Sequence, residues 1–233
     1  MGNIEKLIAA KNAAEEEVRS ALEAGEDVSR LVSISSGNTK MGKVASVSLL
    51  PILTCPARCN GTCGDKCYAK KLALLRPTVA RAYARNTAVA KFAPDAFFKA
   101  VRSAMAKVEY FRFHVSGDIP TVRYLHEVVN ACKSAPHCHV LMFTKRYELV
   151  NRYIWDGGRL PDNLHCLFSG WTNLFPTEGG FNPFHLPETT VYAKDEDIRP
   201  EWTPCGGNCL DCAIHDGGCW AAKPGETIAF KIH

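Results

Sequence analysis

Four cysteines lie within thirteen residues in the first third of the chain, and this density constrains the fold more than any other feature of the sequence. They are Cys55, Cys59, Cys63 and Cys67, and they follow an apolar run that begins at Val44. The N-terminal residues lack the basic start and apolar core of an export signal, so we expect a cytoplasmic protein with reduced thiols. The odd total of 11 cysteines excludes a complete disulfide pairing. Clustered thiols of this kind are more typical of metal ligands.

The spacing of this first cysteine group, Cys55 to Cys67, excludes a straight helix as a single metal site. Twelve residues of α-helix would separate the outer sulfurs by about 18 Å. The ligands of one zinc ion or one iron–sulfur cluster converge within a few ångströms. Pro56 and Gly64 let the chain curl, and we therefore predict a loop that wraps around a metal ion or cluster.

A second cysteine group lies later in the sequence and comprises Cys205, Cys209, Cys212 and Cys219. Its compact spacing predicts a metal site without deciding between zinc, a second iron–sulfur cluster and additional ligands for the first centre. The first group has no CxxC pair, which favours iron there. The remaining cysteines are expected in the core as small hydrophobic residues, and they are Cys132, Cys138 and Cys166.

The apolar periodicity predicts an α/β fold. Strands are predicted to begin near Val44, Phe111, Val140, Leu164, Val191 and Thr227, with helices between most of them. This alternation is typical of a parallel sheet, and six strands fit a partial (β/α)6 barrel of the TIM type. We expect residues 1–32 to form an N-terminal helical extension. Residues 33–233 would form one barrel-like domain that includes the cysteine-rich segment 205–220.

In parallel α/β sheets, functional sites lie in the loops that follow the strands. The first cysteine group follows the first predicted strand, and Ser116, Gly117 and Asp118 follow the second. We therefore expect these three residues, together with His114, to line a pocket beside the first group. A histidine there could bind a metal, move a proton or contact a substrate.

Basic residues are concentrated between positions 66 and 107. Ten of them, against the single acid Asp95, lie in this range: Lys66, Lys70, Lys71, Arg76, Arg81, Arg85, Lys91, Lys99, Arg102 and Lys107. Such a stripe favours either a nucleic-acid partner or a solvated helix surface. No apolar run is long enough to span a bilayer, so we expect no membrane partner.

Several common catalytic signatures are absent from the sequence. It contains no GxxxxGK[ST], GxGxxG or GxSxG motif. The spacing of a zinc deaminase also fails, because Pro204-Cys205 precedes a three-residue gap.

Taken jointly, several motifs resemble the phage gene product 88 family over about residues 44–233. They are Cys55-Pro, Cys63, Cys67-Tyr-Ala, Phe-Arg-Phe-His114-Val-Ser116-Gly117-Asp118, Phe143-Thr144-Lys145, Cys209, Cys212, Cys219-Trp220 and Ile228-Ala-Phe230. The resemblance implies a phage or prophage origin, and hence the host cytoplasm, without implying an activity. Cys59 lies outside this pattern.

The order of motifs is also similar, more distantly, to that of radical S-adenosylmethionine enzymes. This resemblance implies a 4Fe-4S cluster in the loop after the first strand, and Ser116 to Asp118 near the amino group of the cosubstrate. Those enzymes use three cysteines with gaps of three and two residues, whereas this loop has a fourth thiol and gaps of three throughout. If Cys59 completed the set, no iron would remain open to S-adenosylmethionine.

The leading hypothesis is a 4Fe-4S protein on a radical-enzyme-like barrel, with a redox or radical activity on an unknown substrate. Cys55, Cys63 and Cys67 are the expected ligands and Cys59 a fourth candidate, while the second group would hold another cluster or zinc. One alternative is a zinc- or cluster-stabilised module that binds nucleic acid through the basic helices of residues 66–107. Another is an electron-transfer protein with a closed cluster.

Overall fold

The computed structural model describes residues 2–39, 41–59, 63–170 and 181–231, except for the side chain of Arg58. The helices are α1 (Asn3–Glu23), α2 (Tyr68–Leu75), α3 (Pro77–Phe92), α4 (Pro94–Met105), α5 (Val122–Ser134), α6 (Tyr147–Trp155) and α7 (Cys209–Ile214). The strands are β1 (Ile34–Ser35), β2 (Ala45–Val47), β3 (Tyr110–Phe113), β4 (His139–Thr144), β5 (Leu164–Ser169), β6 (Glu188–Tyr192), β7 (Trp202–Pro204) and β8 (Thr227–Lys231). The fold is therefore of the mixed α/β class.

The strands form one sheet of eight, in the order β1-β2-β3-β4-β5-β6-β8-β7. Only the β1–β2 pair is antiparallel among the described pairings, and the rest of the sheet is parallel. All six predicted strands are present, which confirms the predicted mostly parallel sheet. In the described part of the chain the sheet does not close, because β1 and β7 are its two edges. The two additional strands, β1 and β7, are too short for a recognisable pattern.

Prolines define the starts of two helices rather than interruptions within them. Pro77 and Pro94 lie at the first turns of α3 and α4, where the missing N–H would have no partner in any helix. At two other helices a side chain caps the first turn. The Cys67 sulfur accepts a bond from the Lys70 backbone N–H at the start of α2, and the Thr121 hydroxyl accepts one from Tyr124 at the start of α5.

One face of the sheet is covered by helices, and we call it the helix-covered face. Along the strands alternate residues point to it, and they include Val47, Phe111, Phe113, Val140 and Phe168. Apolar side chains of α1, α3, α4, α5 and α6 pack on them in one continuous core. Cys132, Cys138 and Cys166 lie in this core, as predicted, and burial raises the pKa of each thiol to about 12.

The opposite face is covered by the second cysteine group, and we call it the cysteine-covered face. Leu141, Leu167 and Ile228 point to it from β4, β5 and β8. Cys219 and Trp220 close over them, in a cluster much smaller than the helix-covered core. The short helix α7 and the cysteine-bearing turns beside it thus cover this side of the sheet in place of long helices.

The predicted division of the chain at residue 32 remains a prediction. Within the described residues, Leu7, Ala14 and Val18 of α1 are buried in the same core as the sheet. None of the described helices combines the length and the apolar character needed to cross a bilayer.

Candidate functional site

The loop after β2, which carries the first cysteine group, is fastened on both sides. The Leu50 backbone N–H donates to the Thr87 hydroxyl of α3 at 2.8 Å. The Thr54 hydroxyl donates to the Leu50 carbonyl at 2.8 Å and accepts a bond from the Asp118 backbone N–H at 3.3 Å. Ile52 in this loop has a φ of 70°, a left-handed conformation that a β-branched residue adopts only when its surroundings impose it.

The loop after β3 lies directly against this segment at Gly117. Gly117 has a φ of 78°, and a Cβ atom there would lie 2.6 Å from the Thr54 hydroxyl oxygen and 2.8 Å from the Leu49 Cβ. Both the conformation and the close approach require glycine. The Leu49 backbone N–H also donates to the Ser116 carbonyl at 2.9 Å. The two loops predicted to lie side by side are therefore in contact.

The thiols of the first cysteine group interact with one another. The buried Cys59 thiol forms hydrogen bonds with both Cys55 and Cys63, and these bonds hold the pKa of Cys59 far above the ordinary thiol value. The bond from Cys59 lowers the pKa of Cys55, against burial and the nearby Asp118 carboxylate, which raise it. Burial raises the pKa of Cys67, opposed by the backbone N–H of Lys70. Cys59, the cysteine outside the family pattern, is thus central to the group.

The Asp118 carboxylate is fully buried and already engaged by three donors. Its Oδ1 accepts bonds from the Ile119 backbone N–H at 2.8 Å and from the Thr144 hydroxyl at 2.6 Å, and its Oδ2 accepts one from the Lys145 backbone N–H at 2.8 Å. Burial raises the pKa of Asp118, and these hydrogen bonds oppose the shift. Asp118 therefore joins the loop after β3 to the end of β4.

His114 is buried at the end of β3 with a φ of 57°. Its Nε2 lies 3.1 Å from the Tyr124 hydroxyl of α5, and its Nδ1 is buried without a hydrogen-bond partner among the described residues. Burial lowers the pKa of His114 to about 3, with a further contribution from Arg112, so the ring is neutral at pH 7. The Ser116 hydroxyl is likewise buried and has no described partner.

The second cysteine group is held by backbone close to sulfur. The Gly207 N–H donates to the Cys205 sulfur at 3.4 Å, and a Cβ at Gly218 would lie 3.1 Å from the Cys212 sulfur. The Trp220 indole N–H donates to the Cys209 carbonyl at 2.8 Å. Burial raises the pKa of Cys212 and of Cys219, and the neighbouring thiols of the group add to both shifts.

Arg112 contacts the second cysteine group and was not predicted from the sequence. Its Nη1 donates to the Cys209 sulfur at 3.7 Å, and its guanidinium carbon lies 4.7 Å from the centre of the Phe143 ring. Burial raises the pKa of Tyr68 to about 12, and the charge of Arg112 opposes that shift. The strand alternation contained the signal, because in Tyr110-Phe-Arg-Phe an arginine points to the face opposite its phenylalanine neighbours.

With this geometry in place, the chain can be compared with known proteins. The family model described as Gene product 88 matches residues 5–183, which is more than half of the chain. The chain belongs to this phage family. No curated protein and no solved structure matches it.

The family match covers the first cysteine group and the loop after β3. It begins earlier than the predicted similarity and ends before the second cysteine group. The late motifs, from Cys209 to Phe230, therefore draw no support from the match. The likeness to radical S-adenosylmethionine enzymes also draws none from these comparisons.

In neither cysteine group are the described thiols positioned to bind a metal ion without moving. Among the described residues, no three His, Cys, Asp or Glu side chains could hold a metal ion in their present positions. The donor set nevertheless suits a thiophilic metal, because each group gathers four thiols that influence one another electrostatically. Binding would require the thiols to lose their protons and converge. The ligand assignments remain predictions.

The basic stretch is partly neutralised in three dimensions. Five of its ten cations pair with acids: Arg81 and Arg85 with Glu17, Lys91 with Glu15, Lys99 with Asp27, and Arg102 with Glu127. In the part of the chain that the structure describes, no ion pair involves Lys66, Lys70, Lys71, Arg76 or Lys107. The predicted nucleic-acid contact would therefore depend mainly on α2 and its flanks.

Proposed function

We propose that this Gene product 88 protein holds a 4Fe-4S cluster in the loop after β2 and uses it to transfer electrons. Cys55, Cys59, Cys63 and Cys67 would be the four ligands, one for each iron. The observation that carries the proposal is the position of the buried Cys59 thiol, which is within hydrogen-bond reach of both Cys55 and Cys63. Because Cys59 is close to both of the other thiols, a short movement would let the three bind one cluster.

The surroundings of the loop favour a fixed cluster position. Leu49 and Thr54 fasten the loop to Ser116 and Asp118 through hydrogen bonds, so one wall of the site is anchored before a cluster binds. Cys67 starts α2, and a helix N-terminus stabilises a thiolate. The chain thus supplies soft ligands on an anchored scaffold, and the cluster, when bound, would supply the redox chemistry.

The proposal includes a sheet that curves as a partial (β/α)6 barrel. Strands β2 to β6 lie side by side in chain order, and the helices between them pack in one core on one face. A doubly wound sheet would reverse its order and carry helices on both faces. Barrel-like winding would place the first cysteine group at the carboxyl ends of the strands, where such folds carry their sites.

A closed cluster is preferred to one that cleaves S-adenosylmethionine. With four thiolates no iron would be open, and Cys59 lies in the middle of the group. Asp118, the residue expected to meet the amino group of the cosubstrate, has its carboxylate engaged by three donors. Electron transfer needs neither an open iron nor a free carboxylate.

Anaerobic reconstitution with iron and sulfide tests the proposal. The full chain should take up about four irons and four sulfides, with thiolate-to-iron absorption in the visible range and a paramagnetic signal on one-electron reduction. Cys63→Ser should lose the cluster. Cys132→Ser, which alters a buried core thiol, is the matched control and should retain it.

Cys59→Ser separates the closed cluster from the open one. If Cys59 is a ligand, the variant should give an altered paramagnetic spectrum or a three-iron cluster. An unchanged spectrum, with S-adenosylmethionine perturbing the wild-type signal, would replace electron transfer with the radical hypothesis. Zinc bound in the first group without iron or sulfide would contradict the cluster altogether.

A further inference from the structure

Arg112 is a cation that forms no ion pair with an acid among the described residues. It lies in the middle of β3 on the cysteine-covered face, half-buried against Phe143. Its Nε is buried and has no hydrogen-bond partner among the described residues. Its one described side-chain hydrogen bond runs from Nη1 to the Cys209 sulfur, at 3.7 Å.

No described carboxylate oxygen lies within 4.0 Å of this guanidinium. Removing an arginine from water without a counter-anion is costly, and such a residue is strongly destabilising unless its charge is offset. The Cys209 thiol in contact with it, like the other thiols of the group, is neutral while it is protonated. These thiols become anionic when they bind a metal, because the ligand is the thiolate and its proton is released to solvent.

We infer that Cys205, Cys209, Cys212 and Cys219 converge on a metal ion to form a metal–thiolate centre separate from the first group, and that Arg112 is its counter-charge and hydrogen-bond donor. Four thiolates around a divalent ion leave a net charge of minus two. The arginine offsets part of that charge through Cys209. It acts as a positioning residue, because it touches a ligand and not the metal.

The surrounding contacts hold the Arg112 side chain and the Cys209 sulfur close to each other. The Phe143 ring holds the guanidinium plane from one side, which a lysine could not reproduce with the same geometry. The Trp220 indole bonds the Cys209 carbonyl and fixes the turn that presents this sulfur. The Gly207 N–H supplies a second donor, to Cys205. Donors to sulfur of this kind hold ligands in place and tune a metal site.

Cobalt(II) titration of the full chain tests the inference, with thiolate-to-cobalt absorption as the readout and chelator competition for affinity. The second centre is isolated as the difference between wild type and Cys212→Ser, so occupation of the first group cancels. Arg112→Met should weaken cobalt binding at the second centre by about 10–100-fold, the usual cost of losing an outer-shell partner. The cobalt affinity of Arg112→Lys should lie between those of wild type and Arg112→Met.

Arg199→Met is the matched control. Arg199 also stacks on an aromatic ring, that of Trp202 at 5.0 Å, but it is exposed and pairs with Glu201. Its replacement should leave cobalt affinity within about twofold of wild type, since exposed ion pairs contribute little.

The metal-free protein separates this role from a merely structural one. If Arg112 only stabilised the fold, Arg112→Met would lower the urea midpoint of the metal-free chain. As a counter-charge with no anion, its removal should leave that midpoint unchanged or raise it, while it lowers the midpoint of the loaded protein. Equal cobalt affinity in Arg112→Met and wild type, or no cobalt difference between wild type and Cys212→Ser, would overturn the inference. Neither result bears on iron in the first group.

Discussion

The two faces of the sheet are covered by different kinds of structure, packed helices on one and a cysteine-rich segment on the other. The helix-covered face buries large side chains such as Phe97, Phe98 and Phe111 completely, under five helices. The cysteine-covered face buries a much smaller apolar cluster. The short helix α7 and the turns of segment 205–220 lie over this cluster, with thiols close to the backbone. The first face can be stable through the hydrophobic effect alone. The second has too little apolar material for that, and we expect its order to depend on metal.

The largest expected effect belongs to the helix-covered face. Phe98 is fully buried, and its ring centre lies 5.1 Å from that of Phe97 and 5.0 Å from that of Tyr124. Phe98→Ala should reduce the free energy of unfolding by about 4 kcal/mol, through lost burial and a cavity. Urea unfolding measures it, and the loss should be equal with and without chelator. Leu75→Ala, at a residue 79% exposed, is the control. If the loss of unfolding free energy in Phe98→Ala depended on metal, the two faces would not be stabilised by different means.

Metal removal should act on the cysteine-covered face. A metal present at about 100 times its dissociation constant stabilises the folded state by about 2.7 kcal/mol, and chelation should remove that amount from wild type. Cys212→Ser should show a smaller response, and the difference between the two proteins reports the second cysteine group. Hydrogen exchange should locate the loosening at residues 205–220. Exchange that increased in α4 and α5 instead would show that the two faces are not independent.

His114 follows β3 and packs against Tyr124 of α5, and its burial predicts a pH dependence. Its pKa is depressed to about 3 in the folded protein, so its contribution is fully present above the ordinary histidine value of about 6.5 and is lost as pH falls toward 3. At pH 5 the loss should be about 2 kcal/mol. His114→Asn suits the left-handed backbone and should flatten the unfolding free energy between pH 7 and pH 5. His126→Asn, at an exposed position of α5, should leave the slope unchanged.

The smallest effect is expected on the outer surface of the helical layer. Glu17 of α1 pairs with Arg85 and Arg81 of α3, and the Arg85 bond lowers the pKa of Glu17. Arg85→Met should cost about 0.5–1 kcal/mol at low salt, and less at high salt. Arg76→Met, at an exposed position without a described ion pair, is the control. Salt-independent loss would mean that Arg85 acts through packing.

The sequence was sufficient for most of the fold, because periodicity is local. All six predicted strands and the helices between them are present. Pro77 and Pro94 mark the starts of α3 and α4, since proline is favoured in the first turn of a helix. Strands β1 and β7, of two and three residues, carry no detectable pattern. They form because they pair with β2 and β8 in the folded protein. Whether the sheet curves into a barrel depends on twist accumulated over eight strands, which no single segment encodes.

For the candidate site, the contact between the loops after β2 and β3 was predictable from strand order. The role of Asp118 was not, since its three donors come partly from the end of β4. The ten basic residues from Lys66 to Lys107 suggested a positive surface, but half of them pair with acids elsewhere in the chain, two of which lie on α1. Arg112 was overlooked, and Cys59 was only the fourth candidate ligand, for the same reason: their importance arises from neighbours brought together by folding.

The position of β8 determines how the sheet must be completed during synthesis. Strand β8 follows β7 and the second cysteine group in the chain, yet it lies between β6 and β7. Until the ribosome has made residues 227–231, β6 has an unpaired edge, and β7 has no partner among the described strands. Cysteines 205, 209, 212 and 219 therefore emerge before β8, which completes the face that they cover, and metal binding by the second group, as inferred above, would be linked to insertion of this strand. An open edge in this interval is a site for misassociation, and the availability of metal in the cell would set how long it lasts.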